Sequence, residues 1–285
     1  MQLQQIETIG IVGAGTMGIG IAQLSAMAGY NTILFDVNAQ ALDKVLPTVT
    51  ANLDKGIARG KATEQQKASA LSLITCTDQL QAVQGQFIIE AVVERLEVKH
   101  KVFAELEAIN EATAVLATNT SSIPITQIAR PLKHPERFVG MHFFNPAHIM
   151  KLVEVISGAA TAPEVIELTT NLAKKMGKVA VVAADSPGFI VNRVARHYYV
   201  EALKMLEEGV ADVATLDQLM ENAGFKMGPF RLMDLIGVDT NFSVTQSMFN
   251  AFHQDAKFRP SRIQQQKVDA GHHGRKSGKG FYTYE

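Results

Sequence analysis

The sequence TIGIVGAGTMGIGIAQLSAMAGYNTILFD, from Thr8 to Asp36, determines the fold of the N-terminal part of the chain. An apolar run leads into a glycine-rich turn, and a helical pattern follows until Gly29 stops it. A second apolar run then ends at Asp36. This order predicts a β-strand, a tight turn, an α-helix and a second strand with an acidic residue at its end.

The glycine spacing in this turn is typical of a site for a dinucleotide. The first glycine allows a sharp turn, the second lets the backbone approach a pyrophosphate, and the third lets the helix pack against the sheet. The N–H groups of the helix N-terminus would bind the phosphates. Asp36 lies 18 residues after Gly18, where a carboxylate can bind an adenosine ribose. The turn residues expected to bind the cofactor are Gly13, Ala14, Gly15, Thr16, Met17 and Gly18.

Asp36 also predicts which dinucleotide binds. A 2′-phosphate beside this carboxylate would bring like charges together at a cost of roughly 1–4 kcal/mol. The following residues, Val37 and Asn38, offer no arginine to offset the repulsion. We therefore expect NAD rather than NADP.

The composition excludes several classes of protein. The chain has 285 residues, 47% hydrophobic and 19% charged, with a net charge of −1, which is typical of a globular protein of about two domains. Near-zero charge gives no reason to expect a nucleic-acid partner. Its one cysteine, Cys76, allows no internal disulfide, and no long apolar run or signal pattern occurs, so we expect a cytoplasmic protein without a membrane segment. No spacing of ligands predicts a metal site.

Alternating strand and helix patterns continue after Asp36. They predict a Rossmann-type, doubly wound parallel α/β sheet over residues 1–185, with a helical-hairpin insertion at about 39–70 that projects from the sheet. Residues 186–285 have helical patterns only, which predicts an all-α C-terminal domain. The predicted strands are 72–75, 87–89, 114–117 and 178–182, and the predicted helices are 96–110, 163–176, 190–205, 213–223 and 232–249. Lys55, Arg59 and Lys61 make the insertion basic, either as an ordinary solvated face or as a clamp for an anionic part of a substrate.

The segment Phe138–Ile156 contains two apolar strands around a break at Asn145-Pro146. His142 and Glu154 lie at equal distances from the middle of this break. In an antiparallel hairpin they would face each other with Cβ atoms roughly 4.5–5.5 Å apart. A histidine opposite a carboxylate among apolar residues is either a structural pair or a general acid/base with the group that orients it.

Several ordered motifs together resemble the short-chain L-3-hydroxyacyl-CoA dehydrogenases, and most of all the bacterial 3-hydroxybutyryl-CoA dehydrogenases. The motifs are GAGTMGIGIAQ (13–23), EAVVE (90–94), TNTSS (118–122), GMHFFNP (140–146), MKLVEVI (150–156), DSPGFIVNR (185–193), MGPF (227–230) and GRKSGKGFY (274–282). The resemblance covers nearly the whole chain. It implies an NAD-binding α/β domain with a helical excursion, followed by a helical domain that closes the substrate site and forms a homodimer.

The resemblance also implies roles for individual residues. His142 would be the general acid/base and Glu154 its partner, with Ser121 and Asn192 binding the substrate oxygen and ordering the site. Further cofactor contacts would be Glu94, Lys99, Ser121, Asn145 and Lys276, and the coenzyme A part of the substrate would contact Asn52, Arg59, Ser121 and Asn145. Two positions depart from the family pattern: Asn52 replaces a serine of some members, and Ala147-His148 replaces the usual valine–proline pair.

These roles imply NAD-dependent oxidation of an (S)-3-hydroxyacyl-CoA, with a short chain such as 3-hydroxybutyryl-CoA, to the 3-ketoacyl-CoA and the reverse. Neutral His142 would accept the hydroxyl proton, so oxidation should slow as its imidazole becomes protonated. One alternative is a related dehydrogenase of a free 3-hydroxy acid such as L-gulonate. The other is a non-catalytic NAD-binding relative.

Overall fold

The computed structural model describes all residues from Met1 to Glu285. The chain forms two compact units, Met1–Ser186 and Pro187–Glu285, which divide one residue beyond the predicted boundary. No helix is both long enough and apolar enough to span a lipid bilayer.

The first unit is built on one eight-stranded sheet. The strands are β1 (Thr8–Val12), β2 (Asn31–Phe35), β3 (Ile74–Thr77), β4 (Phe87–Glu90), β5 (Val115–Thr118), β6 (Phe138–Phe143), β7 (Leu152–Ser157) and β8 (Val179–Ala184). Their order in the sheet is β3-β2-β1-β4-β5-β6-β7-β8, and all neighbouring strands are parallel except β6 and β7, which are antiparallel. This order confirms the doubly wound α/β fold, in which ligands bind beyond the carboxyl ends of the parallel strands.

Seven helices belong to the first unit: α1 (Thr16–Met27), α2 (Ala39–Asp43), α3 (Val45–Ile57), α4 (Glu64–Ser72), α5 (Leu96–Ile109), α6 (Ile125–Ala129) and α7 (Pro163–Lys175). Strands β1, β4 and β5 are almost fully buried and contain residues such as Ile9, Ile89 and Val115, because helices cover both faces of a parallel sheet. Strand β3 begins two residues later than predicted, because the predicted strand's first two residues end the preceding helical turn.

The helical insertion differs from its predicted form. It contains three helices rather than two, since the short α2 precedes α3 and α4. It also does not simply project from the sheet: α3 and α4 pack against α1, and Val49, Leu53 and Ala70 belong to the same apolar core as the sheet. The apolar residues of α3 recur every four residues, at Val45, Val49 and Leu53, which places them on the face that is buried.

The second unit is helical, as predicted, and consists of α8 (Val191–Glu207), α9 (Val213–Asn222), α10 (Pro229–Ile236), α11 (Val238–Ala251) and α12 (Arg262–Asp269). The single helix predicted over 232–249 is wrong. Gly237, with φ at +105°, separates α10 from α11, and a residue with this φ cannot continue an α-helix. The C-terminal tail is fixed to α10 because the Asp234 carboxylate accepts hydrogen bonds from the N–H groups of Phe281 and Tyr282, at 2.9 Å each.

Candidate active site

The glycine turn after β1 has the geometry that its sequence predicts. Gly13 has φ at +108°, and a Cβ at this position would lie 2.6 Å from the carbonyl oxygen of Ala91. A Cβ at Gly18 would collide with the carbonyl oxygen of Gly13, so this glycine allows the helix to pack closely. A Cβ at Gly15 would meet no protein atom within 4 Å. Nothing in the protein requires glycine there, which fits a ligand that approaches the backbone at that point.

Helix α1 offers its N-terminal N–H groups next to this space. The helix begins at Thr16, and its N-cap, Gly15, has no side chain to bond to these N–H groups. The Asp36 carboxylate, at the end of β2, accepts hydrogen bonds from the N–H of Ala14 at 2.7 Å and of Asn38 at 2.9 Å. The glycine turn and the acidic residue are therefore fixed against each other, with the donors that a pyrophosphate needs and the acceptor that a ribose needs.

A cleft of about 570 Å³ connects the glycine turn, the helical insertion and the loop between β6 and β7. Its lining contains lysine and histidine but no aspartate or glutamate, so it suits anionic groups. The lining residues are Ala14, Gly15, Thr16, Ile19, Gly20, Asn38, Gln40, Ala41, Lys44, Thr48, Asn52, Asn145, Pro146 and His148.

His142 and Glu154 form a direct pair, as the spacing predicts. They lie opposite each other in the antiparallel β6–β7 ladder, and Nδ1 of His142 is 2.8 Å from Oε2 of Glu154. His142 is 5% exposed and Glu154 is 1% exposed. A carboxylate can only accept in this hydrogen bond, so the pairing favours the neutral tautomer with its proton on Nδ1 and a lone pair on Nε2.

The turn after β5 is organised by Glu94. Oε1 of Glu94 accepts hydrogen bonds from Oγ1 of Thr120 at 2.6 Å and from the N–H of Ser121 at 2.8 Å. Burial alone would raise the pKa of the Glu94 carboxyl, but the Lys99 ammonium and these hydrogen bonds hold it below its ordinary value. Glu94 thus stays ionised and fixes Ser121 at the carboxyl ends of β4 and β5.

Lys99 lies beneath this turn rather than on its surface. Its side chain is 1% exposed, and Nζ is 2.7 Å from Oε1 of Glu90 and 3.2 Å from Oε2 of Glu94. The contact of Lys99 with the cofactor stays a prediction, and what the structure shows is its pairing with these two carboxylates. The buried ammonium compensates two carboxylates and holds Glu94 in place.

The residues expected to bind coenzyme A occupy three regions of the first unit: the cleft (Asn52 and Asn145), the end of α3 (Arg59) and the turn after β5 (Ser121). Asn145 and Asn52 both line the cleft, and Nδ2 of Asn52 donates to Oε1 of Gln23 at 3.1 Å. Arg59 is exposed just beyond the end of α3, and Lys55 is exposed on the same helix. Basic residues of the insertion therefore run from Lys44, which lines the cleft, to the exposed Lys55 and Arg59.

The two remaining expected site residues belong to the helical unit. Asn192 is the second residue of α8. Nζ of Lys276 is 2.7 Å from the Asp239 carboxylate, and this ion pair lies within the unit. Their roles toward cofactor and substrate remain predictions.

Sequence reasoning missed two residues that shape the site. Oδ1 of Asn119 accepts a hydrogen bond from the N–H of Phe143 at 2.8 Å, which ties the turn after β5 to the strand that carries His142. Nζ of Lys178 donates to the carbonyl oxygens of Ala147 and Met150 at 2.6 and 2.8 Å. Asn119 lies in a turn that the sequence does indicate, whereas no local signal indicates that Lys178 reaches a loop about 30 residues earlier.

Comparisons with known proteins agree with this arrangement. The family model described as "3-hydroxyacyl-CoA dehydrogenase, NAD binding domain" matches residues 8–186. The model described as "3-hydroxyacyl-CoA dehydrogenase, C-terminal domain" matches residues 188–284. Together they cover both units.

Individual relatives match over nearly the whole chain. A 3-hydroxybutyryl-CoA dehydrogenase of Bradyrhizobium diazoefficiens is 41% identical, over 98% of this chain and 96% of its own length. The crystal structure of the (S)-3-hydroxybutyryl-CoA dehydrogenase of Ralstonia eutropha aligns with a TM-score of 0.93 at 39% identity, over 98% of this chain and 99% of that one.

A third relative differs in length. The 3-hydroxyadipyl-CoA dehydrogenase of Escherichia coli is 48% identical over 98% of this chain, which spans 59% of the length of that protein. The matched family models and these full-length relatives lead to one conclusion. The chain belongs to the 3-hydroxyacyl-CoA dehydrogenase family, and its first unit is an NAD-binding domain of that family.

Proposed function

We propose that the chain catalyses the NAD-dependent oxidation of (S)-3-hydroxyacyl-CoA thioesters to 3-ketoacyl-CoA and the reverse reaction, with His142 as general acid/base. The 2.8 Å hydrogen bond between His142 and Glu154 carries this proposal. A purely structural pair would not require the glycine turn, the cleft lined by Lys44 and His148, and the Ser121 turn, which all lie in the same unit.

The residues divide the chemistry as follows. Nε2 of His142 takes the proton of the 3-hydroxyl group, and the Glu154 carboxylate holds the tautomer and stabilises the imidazolium that forms. When bound, NAD would supply the acceptor for the hydride that leaves C3 of the substrate. In reduction the imidazolium returns its proton to the keto oxygen. Ser121, fixed through Glu94, and Asn192 would bind the substrate oxygen.

Binding of the substrate would use the cationic side of the cleft. The coenzyme A part carries phosphates, and Arg59 offers an exposed guanidinium at the end of α3. Asn145 and Asn52 would contact the part of the substrate that passes through the cleft. A free 3-hydroxy acid such as L-gulonate would leave Arg59 without a function.

For the acyl group we propose a short chain, with 3-hydroxybutyryl-CoA as the first substrate to test. The relatives with this activity in their names match almost their entire length. A second candidate is 3-hydroxyadipyl-CoA, because the Escherichia coli protein of that name is 48% identical. The adipyl chain is two carbons longer and ends in a carboxylate, so a direct comparison of kcat/KM distinguishes the two.

The test is an assay of NADH oxidation at 340 nm with acetoacetyl-CoA, the 3-keto form of the adipyl thioester, longer 3-ketoacyl-CoA substrates and the keto form of L-gulonate. We expect turnover with the thioesters and a preference for NADH over NADPH. Absence of turnover with every thioester, in a protein that binds NAD, would favour the non-catalytic interpretation. A homodimer and a cytoplasmic location are also proposed, and light scattering and cell fractionation test them.

A further inference from the structure

Lys178 is a buried lysine without a carboxylate partner. It is 8% exposed, and its Nζ makes hydrogen bonds only to the main-chain carbonyl groups of Ala147 and Met150. A lysine is seldom this buried unless an acidic group accompanies it. The two carbonyl groups are therefore the interactions that compensate the burial of this amine.

The backbone of Lys178 is itself fixed by the end of α7. Gly177 has φ at +74° and ends this helix, and the N–H of Lys178 donates to the carbonyl oxygen of Ala173 at 3.0 Å. The next residue, Val179, begins β8, and its N–H donates to the carbonyl oxygen of Lys151 at 2.8 Å. The amine thus extends from a rigid junction between helix and sheet.

The loop whose carbonyl groups bind this amine contributes three residues to the cleft lining, Asn145, Pro146 and His148. The N–H groups of Ile149 and Met150 both donate to the carbonyl oxygen of Pro146, at 3.0 and 2.9 Å, which forms a single turn. The carbonyl groups of Ala147 and Met150 take no part in those bonds, and Ala147 is 1% exposed. Lys178 supplies the donors that these carbonyl groups would otherwise lack.

Asn145 directly precedes this turn and His148 lies within it, and both line the cleft. Lys178 also acts on His148 electrostatically: burial, the Lys178 ammonium and the Lys55 ammonium together lower the pKa of the His148 imidazole. Displacement of the turn would therefore move an amide and an imidazole that line the cleft. The β6 and β7 strands would stay paired through their own ladder.

We propose that Lys178 is a positioning residue that holds the 146–150 loop and so places Asn145 and His148 for the acyl-CoA substrate. That the substrate is an acyl-CoA rests on the proposed function. The anchoring of the loop by Lys178 does not depend on it. Either a protonated or a neutral amine has enough N–H groups for both carbonyl oxygens, so the loop keeps its anchor on deprotonation.

The test uses three variants of the full chain. Lys178→Met removes the donors and keeps a long side chain, Lys178→Arg restores donors and charge, and Lys174→Met removes an exposed lysine of α7 as a control. Amide hydrogen exchange measured by NMR, without ligand, reports the loop directly. We expect exchange at Ile149 and Met150 to become at least about tenfold faster in Lys178→Met, with β6 and β7 amides unchanged.

Kinetics then measure the consequence for the substrate. Under conditions where urea titration shows each variant to be folded, Lys178→Met should raise the KM for acetoacetyl-CoA at least about tenfold. The KM for NADH should rise by a smaller factor, since Asn145 is also expected to contact the cofactor. Lys178→Arg should recover most of this loss, and Lys174→Met should match the wild type. A merely structural role would lower stability without separating the two KM values.

Unchanged exchange at Ile149 and Met150 in Lys178→Met would overturn the proposal, as would an equal rise in both KM values or a failure of arginine to restore either measurement. If the wild type does not turn over acyl-CoA at all, the proposed function fails. The exchange experiment still decides the role of Lys178 in that case.

Discussion

Nδ1 of His142 lies 2.8 Å from Oε2 of Glu154, across two antiparallel strands at the end of an otherwise parallel region of the sheet. Both residues are almost completely buried, so water competes little for this hydrogen bond. Strand pairing on both sides fixes the distance between them. The imidazole is therefore held in one orientation before any ligand binds.

Replacement of His142 by glutamine should remove the proton acceptor without removing the cofactor site. General acid–base catalysis typically increases the reaction rate about 10²–10⁴-fold, so kcat should fall by at least about 100-fold when the acid/base is removed. The dissociation constant of NADH, measured by fluorescence, should change little. The same replacement at the exposed His134 is the control. Turnover of His142→Gln within tenfold of the wild type would exclude this role for His142.

Replacement of Glu154 by glutamine tests the orienting role separately. Glutamine keeps the size of the side chain but removes the charge that stabilises the imidazolium. We expect kcat to fall at least about tenfold, as for other partners that orient a functional histidine. Glu136→Gln, in the exposed pair with His134, should have no effect on kcat. Equal kcat values for Glu154→Gln and the wild type would show that the pair is structural.

Replacement of Asp36 by asparagine should weaken the preference for NAD. The amide keeps an oxygen that can accept a hydrogen bond in the glycine turn but does not repel a 2′-phosphate. The ratio of kcat/KM for NADH to that for NADPH should fall at least about fivefold, which corresponds to ~1 kcal/mol. Asp43→Asn, at the end of α2, is the control. An unchanged ratio would mean that another residue selects the cofactor.

Charge reversal at Arg59 should affect the substrate and spare the cofactor. In Arg59→Glu we expect the KM for acetoacetyl-CoA to rise at least about tenfold, because a carboxylate would repel the phosphates of coenzyme A. The KM for NADH should stay within twofold. Lys101→Glu on α5 makes the same change of charge at another exposed position. If both variants raise the KM equally, the effect is one of net charge and not of a specific contact.

The pKa of Lys178 should leave a signature in the pH dependence of stability. Burial lowers this pKa from 10.5 to about 8, so between these values the unfolded chain binds more protons than the folded one. The contribution of Lys178 to the free energy of unfolding therefore rises as pH increases through this window. In urea unfolding between pH 7 and 10, the free energy of unfolding of the wild type should rise relative to that of Lys178→Met as the pH increases. A constant difference would contradict the lowered pKa.

The sequence predicted the elements whose signals are local. The glycine turn and Asp36 belong to one βαβ unit, and the strand period of two residues places His142 opposite Glu154 once the loop is recognised. Gly237 illustrates a local signal that was misread, because the apolar pattern continues across the break.

Contacts that depend on distant parts of the chain could not be predicted in this way. Glu90 and Lys99 form an ion pair with almost no exposure, and nothing in their spacing distinguishes it from a solvated pair. The packing of α3 on α1 and the reach of Lys178 to Ala147 likewise depend on how the elements assemble. Propensity and periodicity describe one segment at a time, whereas these interactions join segments far apart in sequence.

The antiparallel pairing of β6 and β7 has a consequence for how this chain tolerates insertions. Side chains alternate between the two faces of a strand, so a shift of pairing by one residue would send the imidazole and the carboxylate to opposite faces. The sheet could survive such a slip with its hydrogen bonds intact. The length of the connecting loop is therefore constrained independently of the roles of its residues, since an added or deleted residue could yield a folded protein that binds nucleotide and transfers no proton.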